Sequence, residues 1–524
     1  MPISIFEPTS NPEGLTSTGL NGQFIHSQLL IDCLTRMKPI PNESQEFIAF
    51  CKQLYDDNPT ELESVKEFER DYTSNKAVWW YTRNIFLFRL LNKALRVQNI
   101  EMLYLLRFYI RDLKQVLEKH KCTGSVHVYR IQRMSKEEIE KLRKSVGQYV
   151  AMNSFFSTSM TREQARRFIC SERLSDDIEQ IFFTVDADPR LDNIKPFAYI
   201  KSLSYYPEEE EVLFMIGSIF QVIEMKREGD QIWNIRLKLC SENGHELQRL
   251  FEHMKAKLDP RTTNLYDFGQ VLYEMGKLNE AEKYFRVFLD ALPAGHPSIA
   301  GAYQAIGMIA DDKGEYEASL QWYNKSLAIE LALRGPDHQN VATLYNCIAI
   351  IHRKNGDYTL AKESYKKALR IRIKIYGQDH PNVAMCLVNI GGLYQHEKEY
   401  SKALEVYKGA LLIYDKHYPP EHPHLGTLHS NIGALQLRLG NFDQALEHHN
   451  REIYILRKSL PPDHRDIAGA LECIGNVYEI KGDSQQALSY YEQAAKIFQQ
   501  SLSLTHPRVV AAEKAIKRVR SKLK

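Results

Sequence analysis

Four consecutive glutamates, Glu208 to Glu211, lie in "YYPEEEEVLF" (205–214), between two tyrosines and an apolar, strand-like tail. Such a run is most often a solvated loop. Carboxylates can also stabilise a positive charge that develops as a bond breaks, or take a proton from an attacking group. A strand puts residues i and i+2 on one face, so strand geometry would aim Glu209 and Glu211 together and send Glu208 and Glu210 elsewhere. Two patterns precede the run. "SVHVYRI" (125–131) alternates and closes near Arg130, and "SFFSTS" (154–159) is short, β-prone and ends in Ser157, Thr158 and Ser159. Alone, Arg130 reads as a strand-end ion-pair partner and the serine stretch as an edge strand. His127, three residues before Arg130, faces the opposite side of an extended chain.

The elements that must position these residues change character along the first half of the chain. Residues 42–120 have helical spacing, as in "ESQEFIAFCKQLY", "NIFLFRLLNKALRV" and "IEMLYLLRFYIRDLKQVL". Beyond 125 the period shortens: "QIFFTVDA" (180–187) and "EVLFMIGSIFQVIEMK" (211–226) are rich in β-branched and aromatic residues, and "IWNIRLKL" (232–239) alternates. Helices ahead of strands predict an α+β domain rather than a βαβ sheet. No GxGxxG is present, so a dinucleotide, if bound, is not held in a Rossmann crevice. Trp79 and Trp80 read as core of the helical part.

The order Arg130, then "F-x-S-T-S", then "E-x-E-V-L" resembles the arginine-specific mono-ADP-ribosyltransferases of the Arg-Ser-Glu class, over roughly residues 65–240. The resemblance implies a helical lobe with a split β-sandwich, and NAD as co-substrate with no metal. It implies catalytic roles for Arg130, Ser157, Glu209 and Glu211. Glu211 would hold the nicotinamide ribose and stabilise its cation, and Glu209 would orient the acceptor guanidinium and accept its proton. Arg130 would grip the phosphates or ribose, and Ser157 would hold Glu211, with Ile131, Thr158 and Ser159 completing the NAD-binding set. Ile131 departs from the pattern, since the family often has Gly directly after the motif arginine. Two other outcomes share these residues: a scaffold whose transferase-like domain is a weakly active regulatory platform, and an NAD glycohydrolase using water as acceptor.

The second half repeats itself. His296, His338, His380, His422, His464 and His506 recur every 42 residues. Gly276, Gly314, Gly356, Lys398, Gly440 and Gly482 follow the same interval after a first gap of 38. Small residues recur seven positions before this series, as at Gly307 and Gly391, and five after it, as at Ala361 and Ala403, where two helices would cross closely. Phased histidines invite a metal, but no Cys or carboxylate cluster completes a shell. His-Pro instead reads as an N-cap followed by Pro in the first turn. Helix, turn at Gly, and a second helix with an aromatic and a small residue resemble tetratricopeptide repeats of the kinesin light chain type, whose interval is longer than usual. The fifth unit is the most divergent, with His449 and Glu452 where Tyr and Ala are expected. The resemblance implies an all-α solenoid with a groove that holds a peptide or protein.

The two resemblances together imply an N-terminal extension (1–41), an ADP-ribosyltransferase domain (42–240), a helical linker (241–261), six repeats (262–505) and a basic capping helix (506–524). With 524 residues the chain exceeds one ordinary core. Its 68 Lys+Arg against 66 Asp+Glu leave a net charge of +2, which recruits neither nucleic acid nor anionic membrane. Eight scattered cysteines, no basic-then-apolar leader and no long apolar run predict a cytoplasmic protein. Its expected partners are proteins bearing exposed arginine and a ligand of the solenoid groove.

Overall fold

The computed structural model describes residues 3–6, 20–167, 177–228, 232–241, 263–459, 465–501 and 507–523. The expected linker, apart from Ser241, lies outside the described residues, as do His464 and His506. The chain divides into two compact units, one closing at Tyr284 and the other opening at Phe285.

In the first unit, seven helices precede all strands but one: α1 (Leu20–Arg36), α2 (Glu43–Leu54), α3 (Pro59–Asp71), α4 (Ala77–Thr82), α5 (Phe86–Val97), α6 (Ile100–Leu105) and α7 (Arg107–Lys119). Their starts follow local chemistry. Asn58 caps α3 by accepting from the Glu61 amide, with Pro59 following, and Asn99 caps α6 through the Met102 amide. The aromatic payload makes the lobe's core: Phe47, Phe68, Trp80, Phe86 and Tyr109 are fully buried. Helix α5 divides its faces. Phe86, Leu87, Leu91, Ala94 and Leu95 are buried, whereas Phe88, Asn92 and Arg96, spaced i, i+4, i+8, line a cleft.

The strands are β1 (Ile3–Phe6), β2 (Val126–Ser135), β3 (Tyr149–Met152), β4 (Phe156–Ser159), β5 (Ile178–Ala187), β6 (Phe197–Tyr199), β7 (Glu211–Phe214), β8 (Ile219–Glu228) and β9 (Ile232–Leu239), with the short helices α8 (Lys136–Lys144) and α9 (Arg162–Arg166) between them. They run in the order β1-β3-β8-β9-β5-β2-β4-β7-β6, antiparallel except for β5 beside β9. The β2–β4 seam is the weak point, because these strands pair at one position, Tyr129 opposite Ser159, while β2 pairs with β5 along its whole length. Backbone groups freed at this split need other partners.

Several expectations change. Strand β2 continues past Ile131 to Ser135, which leaves Arg130 in mid-strand. The 211–226 stretch is two strands broken at Gly217, whose φ of +80° favours glycine. Within the N-terminal stretch, β1 pairs with β3 at the sheet edge, and α1 buries Leu30, Cys33 and Leu34 and packs on α7. The division falls within the second helix of the first repeat, Leu278–Asp290. Phe268 and Tyr284 pack on the Tyr104 ring at 5.8 and 4.9 Å, and Lys283 pairs with Glu101 at 2.7 Å.

The second unit is a run of antiparallel helix pairs, Ser298–Asp312 with Tyr316–Arg334 through Arg465–Lys481 with Ser484–Ser501, followed by the helix Pro507–Leu523. Turn glycines take positive φ, and Lys398 does so at +63°. Close crossing explains the small residues: a Cβ on Gly391 would collide with the Tyr407 ring. In the divergent unit, His449 meets Glu452 at 2.9 Å in the core, so a polar pair fills the place of Tyr and Ala. The described repeat histidines begin helices, with Nδ1 of His338, His380 and His422 each accepting an amide two residues on at 3.1–3.2 Å. Among the described residues no helix is long and apolar enough to cross a membrane.

Candidate active site

At the β2–β4 split the first unit has a cleft of about 650 Å³, within the range of small-molecule sites. Arg130, Ile131, Ser157, Thr158, Ser159, Glu209 and Glu211 all line it. The sheet register accounts for part of this. Glu211 opens β7 opposite Ser159, and Ser157, two residues back on β4, shares that face. Arg130 crosses the split: its Nη1 donates to the Ser157 carbonyl at 2.6 Å, satisfying a group the broken ladder leaves open, and its Nε donates to Gln132 at 3.2 Å. The guanidinium also lies 5.5 Å from the Phe156 ring centre. Thr158 turns to the sheet and donates to the Val212 carbonyl at 2.8 Å.

The glutamate run is not one strand. Pro207 to Glu209 form a 3-10 turn, Glu210 adopts the left-handed conformation at φ +46°, and only Glu211 belongs to β7. Alternation therefore does not pair Glu209 with Glu211. Both reach the cleft because the turn folds Glu209 back toward it, while Lys201 holds Glu210 at 2.8 Å outside. His127 is exposed, pairs with Asp186 at 2.5 Å and takes no part in the cleft wall. Trp80 is core as expected, whereas Trp79 is half-buried.

Burial decides the electrostatics. Glu211 is 5% exposed, and its carboxyl is pushed up to about 7 by loss of hydration, with a smaller push from Glu209. The Ser157 hydroxyl, which donates to the carboxylate, and the Arg130 charge hold it lower than burial alone would. Glu209 is also raised, by burial and then by Glu208. Burial lowers Arg130 from the ordinary arginine value, opposed by Tyr81 and Glu211; a guanidinium in a protein keeps its proton. The cleft thus holds a carboxylate that gains or loses its proton near neutrality beside a fixed positive charge.

Ile131 needs no glycine-like backbone: it lies in regular register opposite Phe182, and its φ is not positive. The sequence reading missed the helical wall. Tyr81, Asn92 and Arg96 from the lobe, and Arg133 from β2, also line the cleft. Arg96 and Arg133 make no ion pair among the described residues. An apolar stripe on α5 with Asn92 and Arg96 opposite was the signal that could have found two of them.

Comparison with known proteins divides the chain in the same way. Residues 75–243 match the family model of the ADP-ribosyltransferase exoenzymes. Tetratricopeptide repeat models match 266–331, 340–416, 387–458 and 470–501. No curated protein sequence matches the chain. Among solved structures, the Vis toxin, an ADP-ribosyltransferase from Vibrio splendidus, is 21% identical, covering 41% of this chain and 92% of that one at a TM-score of 0.27. A Podosopora anserina chain of nearly identical kinesin light chain TPR-like repeats is 19% identical, covering 40% and 99% at 0.35. BtubC from P. vanneervenii is 19% identical, covering 50% and 88% at 0.29. On the family models, the chain carries an α+β ADP-ribosyltransferase exoenzyme domain followed by a tetratricopeptide solenoid.

Proposed function

We propose that this transferase-type domain moves a single ADP-ribose from NAD to arginine side chains of proteins, and that the solenoid recruits those proteins. The observation that carries the reading is Glu211, a buried carboxylate joined to Ser157 beside Arg130 in an open cleft. When the bond between ribose C1′ and the nicotinamide nitrogen breaks, its electron pair leaves with nicotinamide and the ribose becomes cationic. A preorganised carboxylate lowers the energy of that cation, and a low-dielectric wall strengthens the effect. Ser157 and Thr158 fix the strand edge that holds Glu211. Arg130 offers a planar fork for phosphate or ribose oxygens, and Arg96 and Arg133 add cations suited to a diphosphate.

A guanidinium nitrogen of the acceptor then forms the new bond to C1′. With an ordinary pKa above 12 it keeps its proton until attack is under way, and Glu209 accepts that proton. The products are nicotinamide, ADP-ribosylarginine and one proton. Ile131 narrows the cleft where glycine would leave room, which favours a modest rate. Labelled NAD with agmatine tests this reading: a labelled ADP-ribosyl adduct is the expected product.

A second reading, NAD hydrolysis, is favoured by one feature. Glu209 sits in a turn rather than on the strand that fixes Glu211. Nicotinamide release with no labelled adduct would mark that case.

In the solenoid, a cavity of about 470 Å³ is lined by Arg353, Lys398 and Arg438 together with Asn389 and Asn431. This chemistry favours an acidic segment of a recruited protein.

A further inference from the structure

The turn that carries Glu209 is held by groups on α9 and on the helical lobe. On one side, Gln164 of α9 donates to the Glu208 carbonyl, and the Met160 amide donates to the Glu210 carbonyl at 3.2 Å. On the other side stands the helical lobe. The Tyr205 amide donates to Thr82 Oγ1 at 2.8 Å, and the Tyr205 ring meets Trp79 edge-on at 5.3 Å. Between them lies Arg83, whose guanidinium carbon is 4.7, 5.0 and 5.2 Å from the ring centres of Trp79, Trp80 and Tyr205.

Arg83 is itself fixed. Its Nη1 and Nη2 donate to the two carboxylate oxygens of Glu67 on α3 at 2.8 and 3.1 Å, and its side chain is 17% exposed. A guanidinium paired through its edge leaves both faces free for rings, which a lysine ammonium cannot reproduce. The loop has no strand partner from Tyr205 to Glu210, so these contacts, with the Lys201–Glu210 ion pair, set where Glu209 points. Glu211, by contrast, is fixed by the β4–β7 ladder.

We propose that Arg83 is a positioning residue for the acceptor half of the reaction. With Glu67 and Thr82 it locks the 205–210 turn to the helical lobe so that Glu209 meets the incoming guanidinium. This rests on the reading of Glu209 and Glu211 given above. Loss of the lock frees the turn while β7 stays in place, so C1′–nicotinamide cleavage continues and water, rather than the acceptor, takes more of the cation. The water route yields ADP-ribose, nicotinamide and one proton.

The test uses the full chain with Arg83→Ala, Arg83→Lys and Thr82→Val, the last removing one hydroxyl with little change of shape. Two quantities are read: the ratio of labelled agmatine to nicotinamide released from NAD, and amide hydrogen exchange across 200–214 without NAD. The expected result for Arg83→Ala is a ratio at least about tenfold lower with nicotinamide release within about threefold of wild type. Exchange should speed up at 205–209 and stay slow at 212–214, with Thr82→Val smaller in the same direction and Arg83→Lys rescuing only in part. An unchanged ratio, or transfer and release falling together in both Arg83→Ala and Thr82→Val, overturns the proposal. If wild type releases no nicotinamide, the function proposed above falls, and unchanged exchange at 205–209 then sinks the lock independently.

Discussion

On the proposed reading Glu211 meets two opposed demands, burial that favours its neutral form and a reaction that needs its charge. Its carboxyl is raised from the ordinary value to about 7, so the working carboxylate is depleted as pH falls below neutrality. The kcat/KM for nicotinamide release should therefore rise with pH and level off above about 7. Ser157 donates to the charged form, so Ser157→Ala should move that midpoint up and lower the rate most at pH 6. A pH-rate profile flat from 5 to 8 would contradict this account of Glu211. This residue was legible because an apolar strand follows it directly. Glu209 was legible for the wrong reason: alternation pointed to it, but a proline-initiated turn and a left-handed Glu210 place it. Arg96 and Arg133 escaped notice because no spacing links a helix in the lobe to a strand thirty-odd residues later.

At the scale of elements, local chemistry was read well where one strand or helix sufficed and poorly where two met. Strand β9 coincides with the alternating stretch, yet β2 was cut short because its second half, "IQRMS", carries polar residues at a position that faces the cleft. The split between β2 and β4 is a property of register, which composition does not encode. The repeats were read most fully, since the turn glycines, the small residues and their aromatic partners recur at one period. Lys398 departs from that rule. At φ +63° a side chain carries a conformational cost that glycine avoids. Lys398→Gly should stabilise the second unit by about 1 kcal/mol, read as a higher midpoint in urea unfolding at unchanged m. A lower midpoint would show that contacts of Lys398 in its cavity outweigh the strain.

At the scale of the whole molecule, the chain divides within the second helix of the first repeat. The first unit extends to Tyr284, and the first repeat's Phe268 and Tyr284 close over Tyr104 of the lobe. Repeats look alike in sequence whichever surface they pack on, so the period alone could not reveal this. A chain ending at residue 241 should expose that aromatic face and melt several degrees below one ending at residue 297. Equal melting temperatures would mean that the first repeat adds nothing to the unit it packs against.

The central claim is that Glu211 breaks the bond to nicotinamide and Glu209 directs the fragment to arginine. Nicotinamide release and labelling of agmatine, measured together for wild type, Glu211→Gln and Glu209→Gln, test it most directly. The account predicts that Glu211→Gln loses both activities by about a thousandfold or more, while Glu209→Gln loses transfer and keeps release within about tenfold. Release that survives in Glu211→Gln, or transfer that survives in Glu209→Gln, would contradict it.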